Sequence, residues 1–302
     1  MAKVPQLAAL PCLGVGASLS LDLPPDPAAL VRRVGGPRFI EYTGKVSFSA
    51  VEPAVARIRE AGAAVLFHPS YINFCGTFPN STEWLAATDH QLSATGAPWF
   101  AQDCAYCFWS GSPGYSSQLG YFLPPIFNEA SLERAVERVR EVQAKVRVPV
   151  AIEPPPLTFV VGRMSMMTFL AKLAERADCA LLLDAGHLVS YEMGARRRIA
   201  DELEGFPFER VIELHVAGGR IESAGDEAVY VDAHHQAIQP AAWQMFEWLL
   251  PQLPGLKAVC FECEGADAEH VMSTLGRVRR SVIAKSANAE LRRLVEDDRR
   301  GP

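Results

Sequence analysis

Eight short apolar runs alternate with amphipathic helical segments along this chain, and six of the runs close on a carboxylate or an imidazole. The runs cover residues 12–19, 38–42, 63–68, 98–103, 148–153, 179–184, 210–215 and 257–262. Each is followed by a segment that can be helical. The plainest is 131–145, where Leu132, Val136, Val139 and Val142 form a stripe opposite Glu133, Arg134, Glu137 and Arg140. Segments 51–61, 165–177 and 241–250 behave alike. Runs such as Ala180-Leu-Leu-Leu183 lack polar alternation and suit parallel strands buried on both faces. Eight such units without a doubly wound signature predict an α/β protein, a single (β/α)8 TIM-type barrel over residues 1–302 with a helical tail from about 271.

A barrel gathers the C-terminal ends of its strands at one mouth. The spacing therefore predicts that His68, Asp103, Glu153, Asp184, His187, His215, Asp232, His234 and Glu262 converge there as metal ligands. Taken singly, each has an ordinary reading. A strand-end Asp caps the following helix, a histidine sits satisfied in the core, and a buried Glu pairs with Arg. Nine at barrel spacing favour metal. Asp232 and His234 stand two apart, which in a strand puts them on one face, and Glu213 is related to His215 in the same way. Gly218-Gly219 after His215 would let a ligand approach the backbone, and Gly218-Gly219-Arg220 is a weak anion-binding signal.

Cys104-x-x-Cys107 and Cys260-x-x-Cys263 are each half of a zinc-ribbon pattern, but about 150 residues separate them, too far for a joint structural site. Cys104 adjoins Asp103 and reads as a soft ligand or an idle thiol, and Cys260 as core. Seven cysteines, an odd number in a chain of 302 residues, argue for reduced thiols over a disulfide framework. Hydrophobic residues at 49% and charged residues at 21% describe a globular chain, and a net charge of -6 argues against a nucleic-acid partner. No apolar stretch is long enough to span a bilayer, and the first residues make a poor signal peptide, so a cytoplasmic protein with no membrane partner is expected. Long connections at 70–81 and 108–128 follow strands on the mouth side and are expected to shape a substrate pocket.

Several segments resemble the multinuclear non-heme iron-dependent oxidative enzymes, the family of the methanobactin oxidase. They are Phe39-Ile-Glu-Tyr42, Leu123-Pro-Pro125, Val139-Arg-Glu-Val-Gln143, Val150-Ala-Ile-Glu153, Cys179-Ala-Leu-Leu-Leu-Asp184, Glu213-Leu-His-Val-Ala-Gly218, Val231-Asp-Ala-His234 and Phe261-Glu262. The resemblance runs roughly from residue 39 to 267. It implies a TIM-type barrel of the xylose isomerase/endonuclease IV-like superfamily, holding two or three mixed-valent Fe(II)/Fe(III) ions with O2 as co-substrate. The implied substrate is a residue, most often cysteine, of a ribosomally made precursor peptide, with a separate partner protein presenting the leader. Asp103 and Glu213 are then the expected catalytic carboxylates, and Cys104 and Glu41 further metal-site residues; Cys104 stands where the family carries His. The same ladder also looks like a zinc or manganese hydrolase or sugar isomerase of that superfamily, which is the alternative reading.

Overall fold

Each of the eight apolar runs forms a strand, displaced from the expected bounds by two residues or fewer. The computed structural model describes residues 7–44, 47–108, 118–157, 159–225 and 227–298. The barrel strands are β1 (Gly14–Ser18), β2 (Phe39–Gly44), β3 (Ala64–Pro69), β4 (Phe100–Asp103), β5 (Val150–Glu153), β6 (Ala180–Asp184), β7 (Val211–Ala217) and β8 (Ala258–Glu262). All their ladders are parallel, in the order β3-β2-β1-β8-β7-β6-β5-β4. β1, β4, β5, β6, β7 and β8 are buried along their whole length, as expected where helices cover the outside of a parallel sheet and side chains fill the inside.

Helices follow from the same sequence logic. The 131–145 stripe lies in helix Glu129–Gln143, started by Asn128, whose side chain accepts a hydrogen bond from Ser131 N. It buries Leu132, Val136, Val139 and Val142, each contributing about 1.5–3 kcal/mol relative to exposure. The tail forms helices Ala268–Lys285 and Ala289–Asp297, and Val271, Leu275, Val278, Val282, Leu291 and Val295 pack into the core. No helix among the described residues is long and apolar enough to cross a membrane.

Two antiparallel hairpins were absent from the sequence reading. One pairs Tyr106–Phe108 with Gln118–Leu123 after β4; residues 109–117 of the expected 108–128 connection lie outside the described residues. The other pairs Gly219–Ala224 with Glu227–Asp232 after β7. Apart from Tyr106–Phe108 these strands are as long as those of the barrel, but they lie outside the buried sheet and lack the continuous apolar run that marks a barrel strand.

The ring is closed differently at one place. β3 and β4 lie side by side, with Cα atoms within 8 Å, yet share no ladder. The fully buried Gln102 of β4 reaches the connection just beyond β3: its Oε1 accepts from Ile72 N at 2.8 Å and its Nε2 donates to Ile72 O. One primary amide thus ties β4 to the backbone that leaves β3. Gln102→Leu keeps the bulk but leaves the Ile72 N–H and C=O without these partners, so a loss of about 2–4 kcal/mol is expected in urea unfolding; a change below about 0.5 kcal/mol would show that other contacts close the seam.

Candidate metal centre

The parallel register places the strand-end polar residues in one ring: Asp103 lies beside Glu153, Asp184 beside His215, and Glu262 beside Ala217, two residues beyond His215. All nine ladder residues join one contact network. His68 Nε2 is 3.5 Å from Asp103 Oδ2 and 3.4 Å from Glu153 Oε2. Glu153 Oε1 is 3.2 Å from His187 Nδ1, whose ring reaches Asp184 at 3.9 Å and Asp232 at 3.6 Å through Nε2. His215 Nδ1 is 3.4 Å from Glu262 Oε1, and His234 Nε2 is 2.8 Å from Asp232 Oδ2 and 3.7 Å from Glu262 Oε2.

Some placements differ from expectation. Asp232 ends its hairpin strand and His234 lies in the turn beyond, so it is this turn, with Ala233 N donating to Gly218 O and Gln236 N to Ala233 O, that aims both at one point. Asp184 also fulfils its ordinary role, capping helix Ala185–Ala195 by accepting from His187 N at 2.7 Å. The glycine pair opens no path for a ligand: a Cβ at Gly218 would meet the Gln236 carbonyl and one at Gly219 the Tyr230 hydroxyl. Arg220 is engaged by Glu222. Cys104 is buried against Cys75 and belongs to none of the ligand groupings among the described residues, whereas Cys260, read as core, groups with Glu41 and His215. Glu41 sits inside the network, 3.3 Å from His215 Nε2 and 3.8 Å from His68 Nδ1. Glu213 Oε1 is 3.5 Å from His215 Nε2, and its Oε2 accepts from the Trp99 indole at 2.7 Å.

Glu264 escaped the sequence reading. Its Oε2 is 2.6 Å from His234 Nδ1, and its Oε1 accepts from the Ser18 hydroxyl. The available signal was its position two residues after Glu262, but it lies past the strand, where alternation no longer predicts direction.

The electrostatics decide what such a centre can hold. Seven carboxyl groups (Glu41, Asp103, Glu153, Asp184, Glu213, Asp232 and Glu262) meet four imidazoles (His68, His187, His215 and His234). Among the described residues no Lys or Arg pairs with any of the seven. Buried oxygens and nitrogens are left without hydrogen-bond partners there: Glu41 Oε1, His68 Nδ1, Asp103 Oδ1, Glu153 Oε1, Asp184 Oδ2, Asp232 Oδ1, both His215 nitrogens and Glu262 Oε2. Burying that much negative charge requires protons or cations. Burial pushes Glu41 up to about 8 against the pull of the His215 charge. Burial and the neighbouring Asp103 push Glu153 to about 7. Burial alone would lower His68, but the hydrogen bond to Asp103 and the charges of Glu41 and Glu153 outweigh it and lift the ring to about 10. His187, His215 and His234 are raised too, because their carboxylate neighbours outweigh burial.

Four groups place their ligand atoms within 4.8 Å of one another: Glu41-His215-Cys260, His68-Glu153-His215, Asp103-Glu153-His187 and Asp184-His215-Glu262. His187 Nδ1 also lies 2.8 Å from the Pro154 carbonyl; donating there leaves Nε2 with a lone pair toward Asp184 and Asp232. The donor set of imidazole, carboxylate and one thiol fits divalent or iron ions.

Fold and site together define a TIM-type barrel with buried, metal-competent clusters at the C-terminal mouth. Residues 37–279 match a family profile described as "RiPP precursor modification enzyme MbnB/TglH/ChrH", and the chain belongs to that family. Among curated proteins it is similar to UPF0276 proteins. One from Bordetella pertussis is 28% identical over 274 residues, 87% of this chain and 91% of that protein. Another from Rhizobium meliloti is 33% identical over 129 residues, where the match spans only 41% of either chain. Among solved structures, a D-psicose 3-epimerase aligns with a TM-score of 0.56 at 12% identity, over 89% of this chain and 99% of that one. A xylose isomerase-like TIM barrel protein from Mycobacterium smegmatis aligns with a TM-score of 0.54 at 14% identity, over 92% and 100%. These structures share the fold.

Metal uptake should release protons. At neutral pH the metal-free centre holds them on His68, raised to about 10, on Glu41, raised to about 8, and in part on Glu153, raised to about 7. Ligation requires the free bases, so apparent affinity should rise with pH from 6 to 9. Calorimetric titration in buffers of different ionisation heat should show a buffer-dependent enthalpy; equal heats in all buffers would contradict it.

Proposed function

We propose that this chain uses two or three mixed-valent Fe(II)/Fe(III) ions and O2 to oxidise a cysteine of a ribosomally synthesised precursor peptide. Membership of a family that modifies such precursors supports a peptide substrate. The observation that carries the multinuclear reading is the sharing of a carboxylate: Glu153, with two oxygens to offer, stands in two of the metal-competent groups. Groups that overlap at a carboxylate would suit more than one ion held close together. Bound there, iron would supply the one-electron chemistry with O2 that side chains lack.

The residues of the chain would do the rest. His68, Asp103, Glu153, Asp184, His187, His215, Asp232, His234 and Glu262 are the proposed ligands. Glu213, pinned by Trp99, is the proposed acceptor for the proton on His215 Nε2, which leaves Nδ1 free toward Glu262. Asp103, whose Oδ1 has no hydrogen-bond partner among the described residues, is the proposed acceptor for the proton of the substrate thiol. Six of the large apolar side chains exposed among the described residues (Leu23, Phe78, Ile126, Phe159, Val161 and Ile221) lie on connections leaving the C-terminal ends of barrel strands. An apolar rim suits an extended peptide crossing the mouth. In this proposal a separate chain presents the leader, and the protein works as one domain in the cytoplasm.

Protein purified anaerobically from iron-supplemented cells should carry iron with a mixed-valent Mössbauer or EPR signature, and should consume O2 with a cysteine-bearing peptide. Zinc or manganese alone, without O2 uptake, would sink the oxidative reading and favour the hydrolase or isomerase. His215→Ala should lower bound metal per chain, because it belongs to three groups; unchanged metal content would refute its assignment.

A further inference from the structure

Tyr230 lies two residues before Asp232 on the hairpin strand Glu227–Asp232, so strand alternation turns its ring to the same side as that carboxylate. It is 2% exposed, and its hydroxyl is buried without a hydrogen-bond partner among the described residues. The fold makes room for that hydroxyl at two backbone positions. A Cβ on Gly186 would stand 3.2 Å from the Tyr230 oxygen and 3.1 Å from Asp184 Oδ1, so both oxygens lie against one bare Cα. A Cβ on Gly219, which is paired with Asp232, would collide with the hydroxyl. Asp184 Oδ2 and Asp232 Oδ1 are likewise buried and unpartnered, and His187 Nε2 lies 3.9 Å from Asp184 Oδ1 and 3.6 Å from Asp232 Oδ2.

A phenol serving only to fill the core would be better replaced by phenylalanine, because a buried hydroxyl without a partner destabilises the fold. Its neighbours here are acceptors that a metal would occupy, which leaves the phenol as a donor with no acceptor among the described residues. We propose that Tyr230 donates a hydrogen bond to a small exogenous acceptor of the dioxygen or azide kind, taken up beside an ion held by Asp184, His187 and Asp232. The inference rests on reading those three residues as metal ligands. It adds that this side of the centre, and not the His68 side, receives the external ligand.

The test compares cobalt(II)-loaded wild type with Tyr230→Phe, which removes the oxygen and keeps the ring. Metal per chain is measured by elemental analysis, azide binding by visible absorption, and the melting temperature on the metal-free forms. Equal cobalt content, an azide dissociation constant about tenfold higher in the variant, and a metal-free variant that melts at the same or a higher temperature are expected. The melting result separates this role from a structural one, since a hydroxyl already satisfied within the fold, by a trapped water for example, would be missed. An azide constant indifferent to the substitution, or a metal-free variant that melts lower, overturns the proposal while cobalt binding stands. A wild type that takes up no cobalt overturns the ligand reading itself, a distinct outcome.

Discussion

The structure depends on a surplus of buried carboxylates at one end of a parallel barrel. Seven carboxyl groups and four imidazoles converge where backbone polarity is already satisfied by ladders and helices, with no basic side chain among the described residues to balance them. A hydrophobic interior makes such an arrangement unfavourable unless positive charge enters. In the metal-free protein, protons provide it, which is why the four histidines, Glu41 and Glu153 are pushed upward. Protons and metal ions compete for the same lone pairs, so the features that destabilise the empty centre are those that make it bind.

The barrel makes this tolerable because it is rigid where the ligands start. β5 to β8 are fully buried and laddered on both sides, and four of the ligand positions end or lie in them. Asp103 ends the buried strand β4 and His187 lies in helix Ala185–Ala195, whereas Asp232 and His234 hang on a hairpin and its turn, and His68 on β3, which shares no ladder with β4. Side chains on strands are held more closely than side chains on turns. The centre therefore has a fixed wall and a more adaptable one, and Tyr230, Asp232 and His234 belong to the second.

Orientation comes from a layer of contacts around the ligands. Trp99 holds Glu213 beneath His215, Ser18 and Glu264 hold His234, and the Pro154 carbonyl engages His187. Each fixes which ring nitrogen faces inward. None has a sequence signature: Trp99, Ser18, Pro154 and Glu264 stand in no ligand spacing of their own.

The sequence alone determined the barrel and the ladder. Apolar runs of strand length at regular spacing allow few architectures, and a parallel barrel places every strand's C-terminal residue at the same end, so His68, Asp103, Glu153, Asp184, His215 and Glu262 were legible from position in a run. What only the tertiary structure decided is everything reached through a change of chain direction. The backbone turns after Asp103 and buries Cys104 against Cys75, although the two residues are adjacent. A turn, and not strand alternation, brings His234 onto Asp232. Gly219, which looks like an opening for a ligand, is filled by the hydroxyl of Tyr230, which also lies against Gly186. Periodicity encodes which face a residue takes within an element; where the chain bends between elements, direction is set by packing against distant segments, which a local pattern cannot encode.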